Sequence, residues 1–393
     1  MAAQELGIGL VSVGWMGRLH SRAYLAARHH FPELPVRARL VVAADPDQGG
    51  REHAVAALGY ERAAADYREV LADPAVAAVS ICAPNFLHRE IALAAAAAGK
   101  PFWIEKPMGR SAAESRDIAR AAADAGVVTA VGFNYRHAPA VARARQLVRS
   151  GALGTITNVR VSLLADYSSD PLGALTWRFL RARAGSGVFG DLLSHGIDLA
   201  QFVVGRIESV SALTETFVRE RPLPASGAAS HFSAGVAGDP TGTVENEDYA
   251  AMLARFASGA VGVFESSRIA IGPRSEYGLE VYGTRGSLRW GFQRLNELEL
   301  ADDRSGYRTI MAGPDFGEFA RFQPGAGTSM GFDDLKTIEA ALFLRSIAEG
   351  RQLAPSAADG WATAEVADAA LSSAASGGWT PVPTVTGPTT YDA

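Results

Sequence analysis

The feature that most restricts the fold is the alternation of elements in the first third of the chain. Leu6 to Val13 reads as a buried strand, and Gly14-Trp15-Met16-Gly17 opens a helical stretch to about His29. Further apolar runs at Leu40–Ala44, Ala77–Cys82, Phe102–Ile104 and Val127–Gly132 read as strands, with Phe102–Ile104 suited to a central position. Helices are expected around Gln48–Leu58, near Tyr67–Leu71, over His88–Ala98 and after Ser111, where Glu114 completes a capping box. Strands and helices in turn imply a parallel, doubly wound α/β sheet. Such sheets hold ligands outside the carboxyl ends of their strands, so the residues just after each strand carry the functional reading.

Those residues have a pattern. Ser12, Gly14 and Gly17 occupy the positions of the three glycines in a dinucleotide fingerprint, with Trp15 and Met16 on the same turn. Ser12 departs from the pattern where a positive φ costs a serine more than a glycine. Asp45 closes the second strand. Its carboxylate suits ribose hydroxyls and repels a 2′-phosphate, which favours NAD over NADP; the weaker alternative is that Asp45-Pro46 only initiates a turn. The distance from the glycines exceeds the usual spacing of about 20 residues, and His30 to Arg39, with Pro32 and Pro35, reads as an insertion that explains it. Pro84 and Asn85 follow the next strand, where Asn85 is a cofactor contact or a helix cap. His88 follows on the same helix, a candidate for the cofactor side whose role is structural rather than catalytic. After Phe102–Ile104 come Glu105, Lys106 and Pro107; the proline bars Lys106 from helical geometry and holds its ammonium on a stiff stem.

Beyond a helix from about Ala138 to Ser150 the pattern changes. Strand-like runs at Ile156–Leu164, Glu208–Val218, Asp248–Arg255, Ala260–Ile269, Ser275–Tyr282, Ser287–Trp290 and Leu298–Ala301 succeed one another with few helices between, as in an antiparallel sheet. The exception is Ser186 to Gly205, which has a helical period and sets Asp191 and His195 four apart on one face. That pair is a capped, hydrogen-bonded couple or a catalytic one. Trp177-Arg178 precedes it in a loop rich in Arg and Gly; the fork of Arg178 suits substrate hydroxyls, whereas Arg181 and Arg183 read as a solvated face. Arg221 to Val244 reads as a long surface loop, in which His231 is given no role. Asp333 to Glu349 is expected to be an amphipathic helix, Trp361 to Ser373 another, and the tail after Gly378 an extended arm across a neighbouring subunit.

Totals narrow the field. The 393 residues suggest about two domains at roughly 150 residues each, with a boundary expected after residue 136. A composition that is 48% hydrophobic and 20% charged suits a folded soluble protein, and a net charge of −5 supplies no basic field for nucleic acid. Cys82 is the only cysteine, which excludes an internal disulfide and multi-thiolate metal sites and fits a reducing cytoplasm. No metal is needed. The longest apolar run, Ile91 to Ala98, falls short of the roughly 20 residues of a membrane span, and no secretory signal is read at the start.

Gly14-Trp15-Met16-Gly17, Ala83-Pro84-Asn85, Glu105-Lys106-Pro107 and Gly132-Phe133-Asn134-Tyr135-Arg136 stand in the order and spacing of the Gfo/Idh/MocA oxidoreductases. The chain resembles that family over nearly its whole length. The resemblance implies an α/β Rossmann domain followed by an α+β domain with a large open sheet that packs on another subunit, hence a homodimer or homotetramer. It implies cofactor contacts from Ser12, Gly14, Trp15, Met16, Asp45, Pro84, Asn85, His88, Glu105, Lys106 and Asn134. It also makes Lys106, Asp191 and His195 catalytic, and adds Arg136, Trp177 and Arg178 to them around the substrate. The expected reaction is NAD-dependent oxidation of a secondary hydroxyl on a cyclic polyol: a pyranose, an anhydrosugar such as levoglucosan, or an inositol. Lys106 and His195 both remain candidates for the base. A non-catalytic NAD-binding regulator and a redox-neutral glycosidase are the alternatives.

Overall fold

The computed structural model describes residues 4–224 and 233–391; His231 lies outside them. In the first part, strands and helices alternate: β1 (Gln4–Val11), α1 (Trp15–His30), β2 (Val36–Ala44), α2 (Gln48–His53), β3 (Arg62–Ala64), α3 (Tyr67–Ala72), β4 (Ala78–Ile81), α4 (Asn85–Ala97), β5 (Phe102–Ile104), α5 (Ala112–Asp124) and β6 (Thr129–Val131). The six strands pair in parallel in the order β3-β2-β1-β4-β5-β6, the doubly wound arrangement the alternation predicts. β5 is interior, and its three residues are wholly buried.

Two local expectations change. β2 begins at Val36, so the last four residues of the supposed insertion are strand: Val36 and Ala38 are buried while Arg37 and Arg39 face outward. Alternating arginines disguised a strand that is half-exposed at its start. α4 begins at Asn85 rather than His88, with Pro84 at the N-cap, where proline's fixed φ suits the start of a helix.

After α6 (Pro139–Arg149) the second sheet forms from β7 (Ile156–Ala165), β8 (Ile207–Glu215), β11 (Tyr249–Phe256), β12 (Val261–Ser267), β13 (Ser275–Gly283), β14 (Gly286–Gly291), β15 (Glu297–Asp302), β16 (Ser305–Met311) and β17 (Thr380–Pro381). Short helices α7 (Arg181–Ala184) and α8 (Ser194–Val204) precede β8, and a small hairpin of β9 (Glu220–Pro222) and β10 (Thr241–Thr243) lies between β8 and β11. The nine-stranded order is β16-β15-β14-β13-β7-β12-β11-β8-β17, antiparallel except where β7 and β12 run together. Arg221, expected in a surface loop, is 1% exposed and donates to the Ser168 and Asp170 carbonyls.

α9 (Phe332–Glu349) packs on α1, and α10 (Ala357–Ser376) packs on α5 and β8, so the chain returns to the first sheet before it ends. α9 is buried more fully than an amphipathic surface helix, with Lys336 and Glu339 inside. The tail is corrected as well. β17 pairs with β8 of the same chain, and Tyr391 is buried, its hydroxyl 3.1 Å from both Asp198 Oδ1 and the Asp359 carbonyl oxygen, to one of which it donates.

Candidate active site

The β1–α1 turn has the features of a pyrophosphate cradle. Ser12 adopts φ +76°, the left-handed conformation for which the fingerprint uses glycine. A Cβ on Gly17 would meet the Ser12 carbonyl oxygen at 2.1 Å, so the helix approaches the turn only because that residue is glycine. A Cβ on Gly14 would meet only the Ser12 hydroxyl, at 3.9 Å, leaving open space over the turn. Gly14 caps α1 with no side-chain bond and no acidic residue follows in the first turn, so the helix presents free N–H donors and its positive end. Asp45 is tied to this turn: Oδ2 accepts from Val13 N at 2.7 Å and Oδ1 from Asp47 N at 2.9 Å. These residues fit a dinucleotide. Trp15 is exposed and stacks on Phe332, with Met16 beside it half-buried.

Other cofactor candidates separate. Asn134 is 1% exposed and its Nδ2 has no partner, a buried donor that a ligand would satisfy. Asn85 donates to the Ala184 carbonyl at 3.2 Å and so ties α4 to α7, neither capping the helix nor standing free. His88 has a structural role: its ring nitrogens lie 3.0 Å from the Pro107 carbonyl and 2.7 Å from the Ala83 carbonyl, so it braces two strand-end loops. Glu105 is corrected, because its carboxylate is turned behind β5 onto His20 and Lys336.

The tertiary structure brings Lys106 of the first sheet to Asp191 and His195 of the second part. Lys106 Nζ donates to the Asp191 carbonyl at 2.5 Å and to Asp191 Oδ1 at 3.4 Å. Asp191 Oδ2 accepts from the Tyr167 hydroxyl at 2.5 Å. Asp191 lies in a π-helical turn, Phe189–Leu193, which runs into α8, where His195 is the second residue. Single π turns occur preferentially at functional sites. This one points Asp191 to Lys106 and Tyr167, while His195 Nδ1 is buried without a hydrogen-bond partner. The two residues do not form the bonded couple that helical spacing allowed. The His195 ring stacks on Tyr135 with centroids 4.3 Å apart. Burial and then the neighbouring Lys106 charge push its pKa well below the ordinary value of 6.5, against Glu105 and Asp191; the imidazole is neutral at physiological pH.

Trp177 and Arg178 sit at the same cleft. The Arg178 guanidinium lies 4.3 Å from the Trp177 ring centroid, and Trp177 meets Phe86 of α4 edge-on. Burial lowers the Arg178 pKa, with Asp191 and Tyr167 opposing the shift. Arg136 is corrected: it is 3% exposed, bonds Asp198 through two nitrogens and reaches Thr390, so its charge is consumed inside the protein rather than offered to substrate.

Sequence reasoning missed Tyr167, His20, Lys336 and Glu247. Glu247 Oε1 accepts from Gly187 N and Phe189 N at 2.8 and 3.1 Å, capping the turn that carries Asp191. His20, Lys336 and Glu339 had a signal, since each is a polar residue on the buried face of its helix. Tyr167 and Glu247 had none, because only the folded chain brings them to the site.

Comparison with known proteins fits this geometry. Residues 6–133 match the oxidoreductase family with an NAD-binding Rossmann fold, and residues 141–289 match the GFO/IDH/MocA C-terminal domain. The levoglucosan dehydrogenase of Pseudarthrobacter phenanthrenivorans is 39% identical over 97% of this chain and 99% of its own. The inositol 2-dehydrogenase of Rhizobium meliloti is 27% identical over 93% and 96%. A solved levoglucosan dehydrogenase in complex with NADH and levoglucosan superposes with a TM-score of 0.90 at 38% identity, over 97% of this chain and 100% of that one. With its sheet order, strand-end residues and both domain matches in agreement, the chain belongs to the Gfo/Idh/MocA oxidoreductase family.

Proposed function

We propose that this protein is an NAD-dependent dehydrogenase that oxidises a secondary hydroxyl of a cyclic polyol, and that its substrate is an anhydrosugar of the levoglucosan type. The observation that carries the reading is the contact of Lys106 with Asp191 across the two sheets, with His195 near enough for both charges to act on it. The 39% identity to a levoglucosan dehydrogenase over nearly the full length supports the substrate class.

The residues divide the work. Ser12, Gly14, Trp15, Met16, Pro84 and Asn134 border the cofactor, and Asp45 receives the ribose hydroxyls and disfavours NADP. When bound, the dinucleotide accepts the hydride. The hydroxyl proton must leave as well, and the neutral imidazole of His195 takes it. Lys106 donates to the same oxygen and stabilises its developing negative charge. Asp191, braced by Tyr167, holds the Lys106 ammonium where the oxygen arrives. Trp177 and Arg178 orient the remaining hydroxyls. Residues 1–136 form the cofactor unit in this reading and residues 137–393 the substrate and assembly unit, with α9 and α10 packed back on the first.

A homodimer or homotetramer fits the outer face of the nine-stranded sheet. Leu213, Leu253, Val261 and Val263 share that face, and the least exposed of them, Val261, still shows 46% of its surface, enough for an apolar patch that a second copy would cover. Leu253→Asp is expected to yield a smaller particle by light scattering; an unchanged mass would remove this face as the interface. No helix among the described residues is long and apolar enough to cross a membrane, and a cytoplasmic setting suits a chain with one free thiol.

The test is NADH formation from NAD with levoglucosan, glucose, xylose and inositol isomers. Steady release with levoglucosan supports the full reading, and release with an inositol alone would keep the reaction and change the substrate. Silence across the panel with NAD bound would overturn it in favour of a sensor or a redox-neutral glycosidase.

A further inference from the structure

Behind the Glu105-Lys106-Pro107 turn lies a group of ionisable side chains that the reaction does not touch. Lys336 of α9 is 1% exposed, and its Nζ lies 2.6 Å from Glu105 Oε1 and 2.8 Å from Glu339 Oε2. His20 of α1 places Nε2 2.9 Å from the same Glu105 oxygen, and its ring stacks on Trp103 of β5 with centroids 3.4 Å apart. Glu105 Oε2 accepts the backbone N–H of Lys106 at 3.3 Å. Gly132 makes room for this carboxylate, since a Cβ there would lie 2.6 Å from Oε2. Helices from opposite ends of the chain thus converge on one carboxylate, and that carboxylate belongs to the residue before Lys106.

A buried ion pair is a poor stabilising device, because desolvation offsets much of its attraction. Its charges nevertheless act strongly on neighbours in a low-dielectric interior. Burial would raise the Glu105 pKa, yet Lys336 and His20 hold it well below the carboxylate range; burial raises Glu339 to about 8 despite Lys336 and lowers His20 to about 4. At neutral pH the group therefore holds one cation and one anion, Lys336 and Glu105. The charged groups acting on His195 are Lys106, Glu105, Lys336 and Asp191, with the Tyr135 and Phe133 rings against its imidazole.

We propose that Lys336 is a positioning residue of the catalytic centre, clamping Glu105 so that the stem of Lys106 and the electric field at His195 keep a single arrangement. The inference rests on Lys106 and His195 being the reacting pair.

Two variants test it: Lys336→Met, and Lys336→Met combined with Glu105→Gln, which removes the charge that the single variant leaves unpaired on Glu105. The readouts are the His195 titration by imidazole NMR in the cofactor-free protein, NADH binding by fluorescence, and kcat with KM. In the single variant kcat is expected to fall roughly 100-fold, as for a sub-ångström to ångström misplacement. NADH affinity and KM should change by less than about threefold, as for an interaction absent from ground-state binding. The His195 midpoint should rise, since a cation is lost while Glu105 stays, and in the double variant it should return to or below that of the parent, with kcat still reduced at least about tenfold. A lower melting temperature with parental kcat and an unmoved His195 midpoint would overturn the proposal, as would loss of NADH binding in a folded variant. If the single variant does not fold, the double decides alone: parental kcat sinks the idea. A parent protein that turns over no sugar would count against the proposed reaction instead, and the NMR titration would then decide the clamp by itself.

Discussion

Lys106 and His195 are close enough for the lysine's charge to act on the imidazole, but are held in opposite ways. The lysine ends a three-residue strand at the centre of a covered parallel sheet, and its ammonium has two acceptors on Asp191. The histidine lies near the start of α8, stacked on Tyr135, with Nδ1 unpartnered and its proton affinity depressed by burial. One environment binds its side chain through hydrogen bonds, and the other disfavours a charge on the imidazole. In the proposed reaction those surroundings assign the roles: the charged group would steady the oxygen and the uncharged one would accept its proton.

The sharpest way to break this division is to remove each member. His195→Ala is expected to lower kcat by about 10³ to 10⁴, the upper part of what a positioned base contributes, with NAD affinity measured by fluorescence little changed. Lys106→Ala should cost about 10² to 10³, the worth of one donor to a developing oxyanion. If the lysine variant alone also erased the acid limb of the pH profile, the two roles would have to be exchanged. That limb should fall below pH 6.5, because a base with a lowered pKa is already uncharged above it; a kcat/KM still rising between pH 6.5 and 8 would point away from His195. Tyr167→Phe removes the bond that braces Asp191 and should reduce kcat about tenfold, the value of one hydrogen bond to a charged group. The smallest expected effect concerns stability. Glu339 has a folded pKa raised by burial to about 8, so the folded state retains a proton that the unfolded chain releases near 4.5. Its contribution is full below pH 4.5 and lost as pH rises through 8. Glu339→Gln should flatten the fall of melting temperature between about pH 4.5 and 8.

The two halves of the site were unequally legible. The β1–α1 turn, Asp45 and the Lys106-Pro107 stem could be read because local rules govern them: a positive φ, a strand end, a proline. Ser12 shows how far this reached, since its left-handed φ was flagged as the price of missing the first glycine and is present at +76°. Arg136 marks where it stopped. A loop after β6 is the right address for a ligand contact, but Asp198, Thr390 and Tyr391 enclose the guanidinium from two distant segments. The same holds for the tail, whose Pro and Thr content suggested an arm and whose backbone pairs with β8.

By itself the sequence determined the parallel sheet, the cofactor-binding turn, the lysine at a strand end and a histidine four residues after an aspartate, because period, chirality and backbone restriction act within a few residues. Only the tertiary structure decided that Asp191 answers to Lys106 and Tyr167 rather than to His195, and that Glu105 faces Lys336 instead of a ligand. Those outcomes depend on burial and on groups brought together from residues 24 to 231 positions apart, and desolvation is a property of the packed interior that no local pattern contains.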